Sequence, residues 1–128
     1  MHAVDTNVLV RLLARDDVKQ AAVAEQFVAK GAWVSHVVLV ETTWVLASVY
    51  ARTASQIAEA IALLLEHETL ALQDPDVVAS ALAQLRRKPS LGFSDCLILE
   101  IARKAGHLPL GSFDRTHGRL AGAQKLKS

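Results

Sequence analysis

The chain opens with Met1-His2-Ala3-Val4-Asp5-Thr6-Asn7-Val8-Leu9-Val10-Arg11-Leu12-Leu13. The apolar residues that end at Val4 predict a short buried strand, and from Val8 onward leucines recur at the three-and-four spacing of an amphipathic helix. Asp5 therefore lies at a strand-to-helix turn, at the carboxyl end of the strand. In open parallel α/β sheets, ligands bind at this edge. Asp is also a good helix N-cap, so this stretch alone leaves both roles of Asp5 open.

The composition is that of one soluble globular domain spanning residues 1–128. Of the 128 residues, 52% are hydrophobic and 21% are charged, which is enough to bury a core. The formal net charge is only +1, so any binding of nucleic acid must come from local patches. Apolar runs such as Ala60–Leu65 are too short to cross a bilayer, and Asp5 and Arg11 interrupt any signal peptide. A single cysteine, Cys96, excludes an internal disulfide and fits the reducing cytoplasm.

Strand and helix candidates alternate along the whole chain. After the opening strand, the strand candidates are Ala32–Val34, Thr69–Leu72, His107–Phe113 and Gln124–Leu126. Helices are predicted to begin at Asp16-Asp17, at Ser35, at the capping-box pair Thr53 and Gln56, at Asp74-Pro75 and at Ser94-Asp95. Such βα alternation with short connections predicts a parallel sheet covered by helices on both faces.

Four carboxylates stand out because of their surroundings. Asp5 and Asp114 each follow a strand candidate, so a parallel sheet would bring them to the same edge. Glu41 is the one acid in the apolar segment Val37–Trp44, and no Lys or Arg lies one helical turn away to pair with it. Asp95 begins another apolar helix, where it could equally be a cap or a first-turn partner of the helix dipole. Each acid alone has an ordinary structural interpretation, but the four together are harder to explain in that way.

Several carboxylates without His or Cys partners are typical of a site for a hard divalent cation. Mg²⁺ and Mn²⁺ prefer oxygen ligands and usually keep water in their coordination shell. Carboxylates packed together repel one another unless such an ion neutralises them. A bound ion lowers the pKa of its water, and a pair of ions can clamp an in-line phosphoryl displacement. The four acids therefore favour phosphodiester hydrolysis as the reaction class.

At four motifs the sequence resembles the PIN-domain ribonucleases, and specifically the toxins of bacterial VapBC-type toxin–antitoxin pairs. The motifs are Val4–Leu9, Val40–Leu46, Phe93–Ile98 and Ser112–Arg115. Their order and spacing match the family over nearly the whole chain. The resemblance implies a three-layer α/β/α sandwich with a central, mostly parallel sheet of four to five strands.

The resemblance also implies a homodimeric, metal-dependent endoribonuclease that a cognate VapB-type antitoxin holds in check. It assigns one or two Mg²⁺ or Mn²⁺ ions to four catalytic acids: Asp5, Glu41, Asp95 and Asp114. Three neighbours would orient these carboxylates: Thr6, Asn7 and Ser112. Cleavage of RNA by metal-activated water would leave a 5′-phosphate and a 3′-hydroxyl.

The chain departs from the family pattern at two places. Many relatives carry an acid just before the Phe of the third motif, where this chain has Gly92. Some carry an acid shortly after the last Asp, where this chain has Thr116 and His117. A site with one ion and water ligands is therefore as well supported as a site with two ions.

Basic residues near the motifs are candidates for holding RNA phosphates. They are Arg11, Arg86, Arg87, Lys88 and Arg115. The run Arg86–Lys88 also has an ordinary interpretation, because cations at a helix C-terminus complement the helix macrodipole. Three other residues near the motifs have ordinary interpretations. We interpret His117 as a bystander, Trp44 as a packing residue and Cys96 as a small buried residue.

Two other functions are compatible with parts of the pattern. A catalytically degenerate PIN-like module could use the acidic groove to bind a basic peptide or an antitoxin without nuclease activity, and Gly92 is the feature that favours it. An aspartyl-phosphate phosphatase or receiver domain needs a second acid beside the nucleophile or a Lys after a late strand. Thr6 and Asn7 supply neither, so the metal-dependent nuclease is the leading hypothesis.

Overall fold

Helices and strands alternate along the chain in the structure, a computed structural model that describes residues 1–128. The chain divides into two units, Met1–Pro75 and Asp76–Ser128. All of the strands pair in parallel, which confirms the parallel α/β class predicted from the sequence. No helix has both the length and the apolar character needed to cross a membrane.

The first unit contains a three-stranded parallel sheet and four helices. Its elements are β1 (His2–Ala3), α1 (Thr6–Ala14), α2 (Val18–Val28), β2 (Ala32–Val34), α3 (His36–Ser48), α4 (Ala54–Glu66) and β3 (Leu70–Leu72). The strands lie in the order β1-β2-β3. His2 pairs with Ala32, and Ala32 pairs with Leu70. The first residues of the three strands are therefore in register with one another. Asp5 comes after the first of them, as the sequence predicts.

Each helix of the first unit begins at a side chain that the sequence marks as a cap. Asp5, Asp17, Ser35 and Thr53 accept hydrogen bonds from the amides of Val8, Gln20, Val38 and Gln56, respectively. The Gln56 side chain also accepts from the Thr53 amide at 2.9 Å, which completes the predicted capping box. Every such bond satisfies an amide that has no partner within its own helix. The starts of α1 to α4 are thus specified by local sequence.

Apolar side chains from three helices and the central strand form the core of the first unit. Leu9, Leu39 and Ile61, from α1, α3 and α4, are at most 1% exposed. In β2, Ala32 and Val34 are buried as well. The helix α3 is rich in β-branched residues, which lowers its intrinsic helix propensity. Burial of Leu39 and Leu46 in the core offsets that cost.

The second unit contains two helices and a two-stranded parallel sheet. Its elements are α5 (Pro75–Arg87), α6 (Phe93–Ala105), β4 (Leu110–Ser112), a short 3-10 helix (His117–Arg119) and β5 (Ala123–Lys125). Val78 of α5 and Leu97 and Leu99 of α6 are at most 1% exposed and belong to its core. The helix α6 stops at Gly106, whose φ of 82° lies in the left-handed region that glycine adopts without strain.

The strands form two sheets instead of one. The resemblance implies a single central sheet of four to five strands, whereas the structure pairs three strands in one sheet and two in another. The strand β4 is shorter than the predicted strand His107–Phe113 and pairs only with β5. Pro109 has no amide hydrogen to donate and Gly111 has no side chain to pack, so this segment supports only a short ladder. The number of strands and their direction are confirmed, and the single sheet is not.

We expect Gly118→Ala to destabilise the second unit. A Cβ at this position would lie 2.8 Å from the Cβ and 2.9 Å from the Cα of Lys125, so the backbone of β5 would have to move. Overpacking of this kind costs roughly 1–3 kcal/mol, which urea unfolding measures as a lower midpoint. Gly111→Ala is the matched control, because the nearest atom to its Cβ is a movable methyl of Leu126 at 3.3 Å. Equal losses in both variants would contradict a specific clash at Gly118.

Candidate active site

Asp5 uses only one of its carboxylate oxygens within the protein. The preceding Val4 amide donates to the Trp33 carbonyl at 3.2 Å, which extends the pairing of β1 with β2 up to the acid. Asp5 Oδ1 then accepts from the Val8 amide at 3.1 Å and caps α1. Oδ2 receives no hydrogen bond, and the residue is exposed. The two roles that the sequence leaves open are therefore compatible, because the cap leaves the second oxygen available to a ligand.

Glu41 is exposed on α3 and is connected to the start of α1. The Thr6 hydroxyl donates to Glu41 Oε2 at 3.3 Å. Thr6 is the residue after Asp5, so this bond links the second acid to the turn that carries the first. An ionised carboxylate can only accept hydrogen bonds, and a hydroxyl donor therefore orients it. Asn7, the other neighbour expected to orient the acids, makes no such bond and instead lines an exposed cleft of about 620 Å³ beside Asp5.

In the second unit, His117 connects the other two acids. Its amide donates to Asp114 Oδ1 at 2.7 Å, and its ring Nδ1 lies 3.8 Å from Asp95 Oδ1. The ring is buried, and its Nε2 has no hydrogen-bond partner. Asp95 lies in the first turn of α6, with 44% of its side chain exposed. The Asp114 amide donates to Ser112 Oγ at 3.0 Å, so the hydroxyl of Ser112 helps to shape the turn that carries Asp114.

His117 is the residue of this site that the sequence interpretation set aside as a bystander. Its amide bond could have been predicted, because an Asp three residues earlier is a common acceptor for a backbone amide. The contact between its ring and Asp95 could not, since 22 positions that include β4 separate the two residues along the chain. Only the folded second unit brings them together.

The four acids occur as two linked pairs. Asp5 and Glu41 are connected through Thr6, and Asp95 and Asp114 are connected through His117. No group of three or more His, Cys, Asp or Glu side chains is placed to hold a metal ion. The donors within each pair are carboxylate oxygens, which suit a hard cation that completes its shell with water.

A family model for the PIN domain matches residues 3–123 of the chain. This chain belongs to the PIN domain family. Among solved structures it is similar to VapC20 of Mycobacterium tuberculosis, described as a toxin that cleaves the sarcin–ricin loop, with 20% sequence identity, full coverage of both chains and a TM-score of 0.44. No curated protein matches the sequence. The family model confirms the PIN-domain resemblance that the four sequence motifs indicate.

This PIN domain has room for a further side chain beside Asp95. Gly92, where the family resemblance leads us to expect an acid, is the N-cap residue of α6 and provides no side-chain cap. A Cβ at Gly92 would lie 3.8 Å from Ser94 Oγ and 4.0 Å from Asp95 Oδ2, which is ordinary van der Waals contact. A larger side chain at Gly92 would therefore fit in contact with Asp95 without a clash.

Cys96 is adjacent to Asp95 but is not a nucleophile in this PIN domain. It is fully buried. Burial, and then the negative charges of Asp95 and Glu100, raise the pKa of its thiol to about 11. Because the reactive form of cysteine is the thiolate, the thiol is inert near neutral pH. Its interpretation as a small buried residue agrees with this environment.

The cations near the motifs differ in what they contact. Arg11 donates through Nε to Gln20 Oε1 at 2.6 Å, and its Nη1 lies 3.0 Å from Asp16 Oδ1 and 3.1 Å from the Tyr50 hydroxyl. Most of its donors are therefore occupied within the protein. Three of the other candidates are exposed and pair with no acid: Arg87, Lys88 and Arg115.

We expect Asp5→Asn and Asp5→Ala to differ in stability. Asn keeps the side-chain oxygen that accepts from the Val8 amide, whereas Ala removes it. Loss of an N-cap acceptor costs about 1 kcal/mol of unfolding free energy, and exchange of one good cap for another costs little. Urea unfolding measures both variants, with Asp17→Asn and Asp17→Ala as the matched pair at the start of α2. Equal losses in the two Asp5 variants would show that the charge, and not the hydrogen bond, stabilises α1.

Proposed function

We propose that this PIN domain is a metal-dependent endoribonuclease, the toxin of a VapBC-type toxin–antitoxin pair. The observation that carries the proposal is that the motif acids occur in linked pairs and form no ion pair with Lys or Arg. Neither Asp5 nor Glu41 forms an ion pair, and Asp95 approaches only the ring of His117, at 3.8 Å. Neighbouring carboxylates without a counter-charge repel one another, and a divalent ion removes that repulsion.

The donor set fits Mg²⁺ or Mn²⁺ better than a softer metal. Asp5, Glu41, Asp95 and Asp114 would hold one or two such ions through carboxylate oxygens, with water as the remaining ligands. A bound ion supplies Lewis acidity towards a phosphoryl oxygen and a water of lowered pKa. The chain's own part is orientation: the Thr6 hydroxyl holds Glu41, and the cap to Val8 holds Asp5.

RNA, a cognate VapB-type antitoxin and a second copy of the chain are the proposed partners. The helix α3 supports the homodimer, because Val37 and Trp44 are 66% and 68% exposed on either side of Glu41 in the sequence. The two residues are seven positions apart, so they lie on the same face of the helix. Exposed apolar side chains on one face favour burial against another protein. The cytoplasm, where RNA is available and a lone cysteine stays reduced, is the proposed location.

We expect RNA cleavage to require Mg²⁺ or Mn²⁺ and to be abolished by EDTA. Asp5→Asn should lower kcat by at least about 100-fold, which exceeds the 10–100-fold loss typical of a group that only orients a metal ligand. Cleavage is followed by incubating the metal-loaded protein with total cellular RNA and mapping the new 5′ ends.

Asp17→Asn is the control for this experiment. Asp17 caps α2 as Asp5 caps α1, so both variants lose one charge at a helix start and keep the cap. Only Asp5 belongs to a motif. Full cleavage by the Asp5→Asn protein, or an equal loss in the Asp17→Asn protein, would overturn the metal-ligand role of Asp5.

A second candidate function is favoured by Gly92. Without the acid that many relatives carry there, the domain could be a catalytically degenerate module that binds a basic peptide or antitoxin through its acids. Calorimetric titration with Mn²⁺ separates the two functions, because a module of this kind binds the peptide and shows no heat of metal binding.

We expect Gly92→Asp to bind Mn²⁺ on the order of tenfold more tightly than Gly92→Asn, because affinity for a hard cation rises with the number of charged ligands. Both variants supply an N-cap side chain to α6, so they share any gain in stability. Only Asp adds a carboxylate beside Asp95. Equal Mn²⁺ affinities would place the metal away from Asp95.

A further inference from the structure

The second unit contains a cavity of about 590 Å³ outside the four motifs. It is lined by α5 and the connection that follows it, by α6 beyond its first turn, and by the segment Arg119–Ala121. Four cations and one acid line it: Arg87, Lys88, Arg103, Arg119 and Glu100. An excess of cations around a concave surface concentrates the positive potential there and favours an anionic ligand.

Most of this positive charge is not neutralised within the protein. Arg87, Lys88 and Arg119 are exposed, and none of them forms an ion pair. Arg103 is the exception, because its Nε lies 3.3 Å from both carboxylate oxygens of Glu100. One acid cannot balance four cations, so the cavity carries a net positive charge although the whole chain is close to neutral.

The base of the cavity is held in a fixed geometry. Glu100 is only 8% exposed and accepts from Gln84 Nε2 at 2.7 Å as well as from Arg103. Arg103 Nη2 donates to the Ala121 carbonyl at 2.6 Å. The guanidinium also packs onto Gly122, where a Cβ would lie 2.9 Å from Nη2. A cation fixed from three sides loses little conformational entropy when an anion binds.

The cavity is separate from the acids but lies on the same helix as one of them. Glu100 and Arg103 follow Asp95 in α6 by five and eight residues. At the rise of an α-helix they are roughly 8 and 12 Å further along its axis. An anion bound there is therefore distinct from one bound at Asp95. In RNA, phosphates repeat along the backbone, so one strand can place different phosphates at the two positions.

We propose that this cavity binds a backbone phosphate of the RNA, away from the scissile bond. The proposal rests on RNA as the substrate proposed above, and it adds Arg103 and Arg119 to the candidate cations that hold this RNA. Arginine suits this role because its planar donors bind two phosphate oxygens at once. A phosphate contact positions the strand without reading its bases.

The test uses two double variants that each remove one lysine and one arginine. Lys88→Gln/Arg119→Gln changes the cavity, and Lys30→Gln/Arg52→Gln removes the same charges from the first unit, at residues whose side chains have no partner. Both are made in the Asp5→Asn protein, so that RNA is bound but not cut. Binding of a fluorescent single-stranded RNA is measured over a series of salt concentrations, after circular dichroism has shown that each variant is folded.

We expect the cavity variant to bind RNA at least about tenfold more weakly. The slope of log affinity against log salt should fall by about 0.7 for each phosphate that the variant no longer binds. The first-unit variant should keep both the affinity and the slope. Equal effects in the two variants would overturn the cavity site, because they would reflect net charge alone.

The outcome is independent of catalysis. If the protein with an intact Asp5 fails to cut RNA but the cavity variant still loses RNA affinity, the nuclease proposal fails and the phosphate site stands. An oligoglutamate peptide of equal charge serves as the second ligand. If the cavity variant loses this peptide and keeps the RNA, the cavity binds an acidic protein segment and the RNA proposal is overturned.

Discussion

The hydrogen bond from the Val8 amide to Asp5 is the interaction on which the candidate site depends. It begins α1 directly after β1, and it occupies one carboxylate oxygen while the other stays free. The same turn carries Thr6, whose hydroxyl holds Glu41 of α3. A single capping bond therefore sets the start of a helix, the orientation of one acid and the position of the donor that orients a second. The observed cap and the proposed ligand role of Asp5 would thus be combined in one side chain.

In the second unit His117 contacts two acids, Asp95 and Asp114, and so links them as Thr6 links Asp5 and Glu41 in the first unit. Its amide holds Asp114 and its ring approaches Asp95, so one residue relates two motifs that are distant in sequence. The close packing of the neighbouring Gly118 against Lys125 of β5 keeps this segment in place. In both units the acids are positioned by neutral hydrogen-bond donors or by a titratable ring, and not by lysine or arginine.

The near-zero net charge conceals a strong separation of charge. Acids that form no ion pair with Lys or Arg occur at the motifs, and three cations that form no ion pair, Arg87, Lys88 and Arg119, line the cavity between α5 and α6. The composition gives only the net charge of the whole chain. It therefore excludes a uniformly basic nucleic-acid-binding protein, but it does not exclude a local patch of positive charge. The cavity itself could not be predicted, because Arg103 and Arg119 belong to no motif. The two segments that carry them are joined by the hydrogen bond from Arg103 Nη2 to the Ala121 carbonyl, which lies two residues after Arg119.

Local sequence by itself determined the starts of α1 to α4 and indicated short strands and four candidate acids, whereas α6 begins at Phe93 after Gly92 and not at the predicted Ser94-Asp95. Caps, capping boxes and strand ends involve residues at most a few positions apart, so their physics is contained in short stretches. Only the tertiary structure decided that the strands form two sheets, that Thr6 contacts Glu41 and that His117 contacts Asp95. These pairings join residues 22 to 35 positions apart. Their geometry follows from how whole elements pack, and no local pattern in the sequence specifies it.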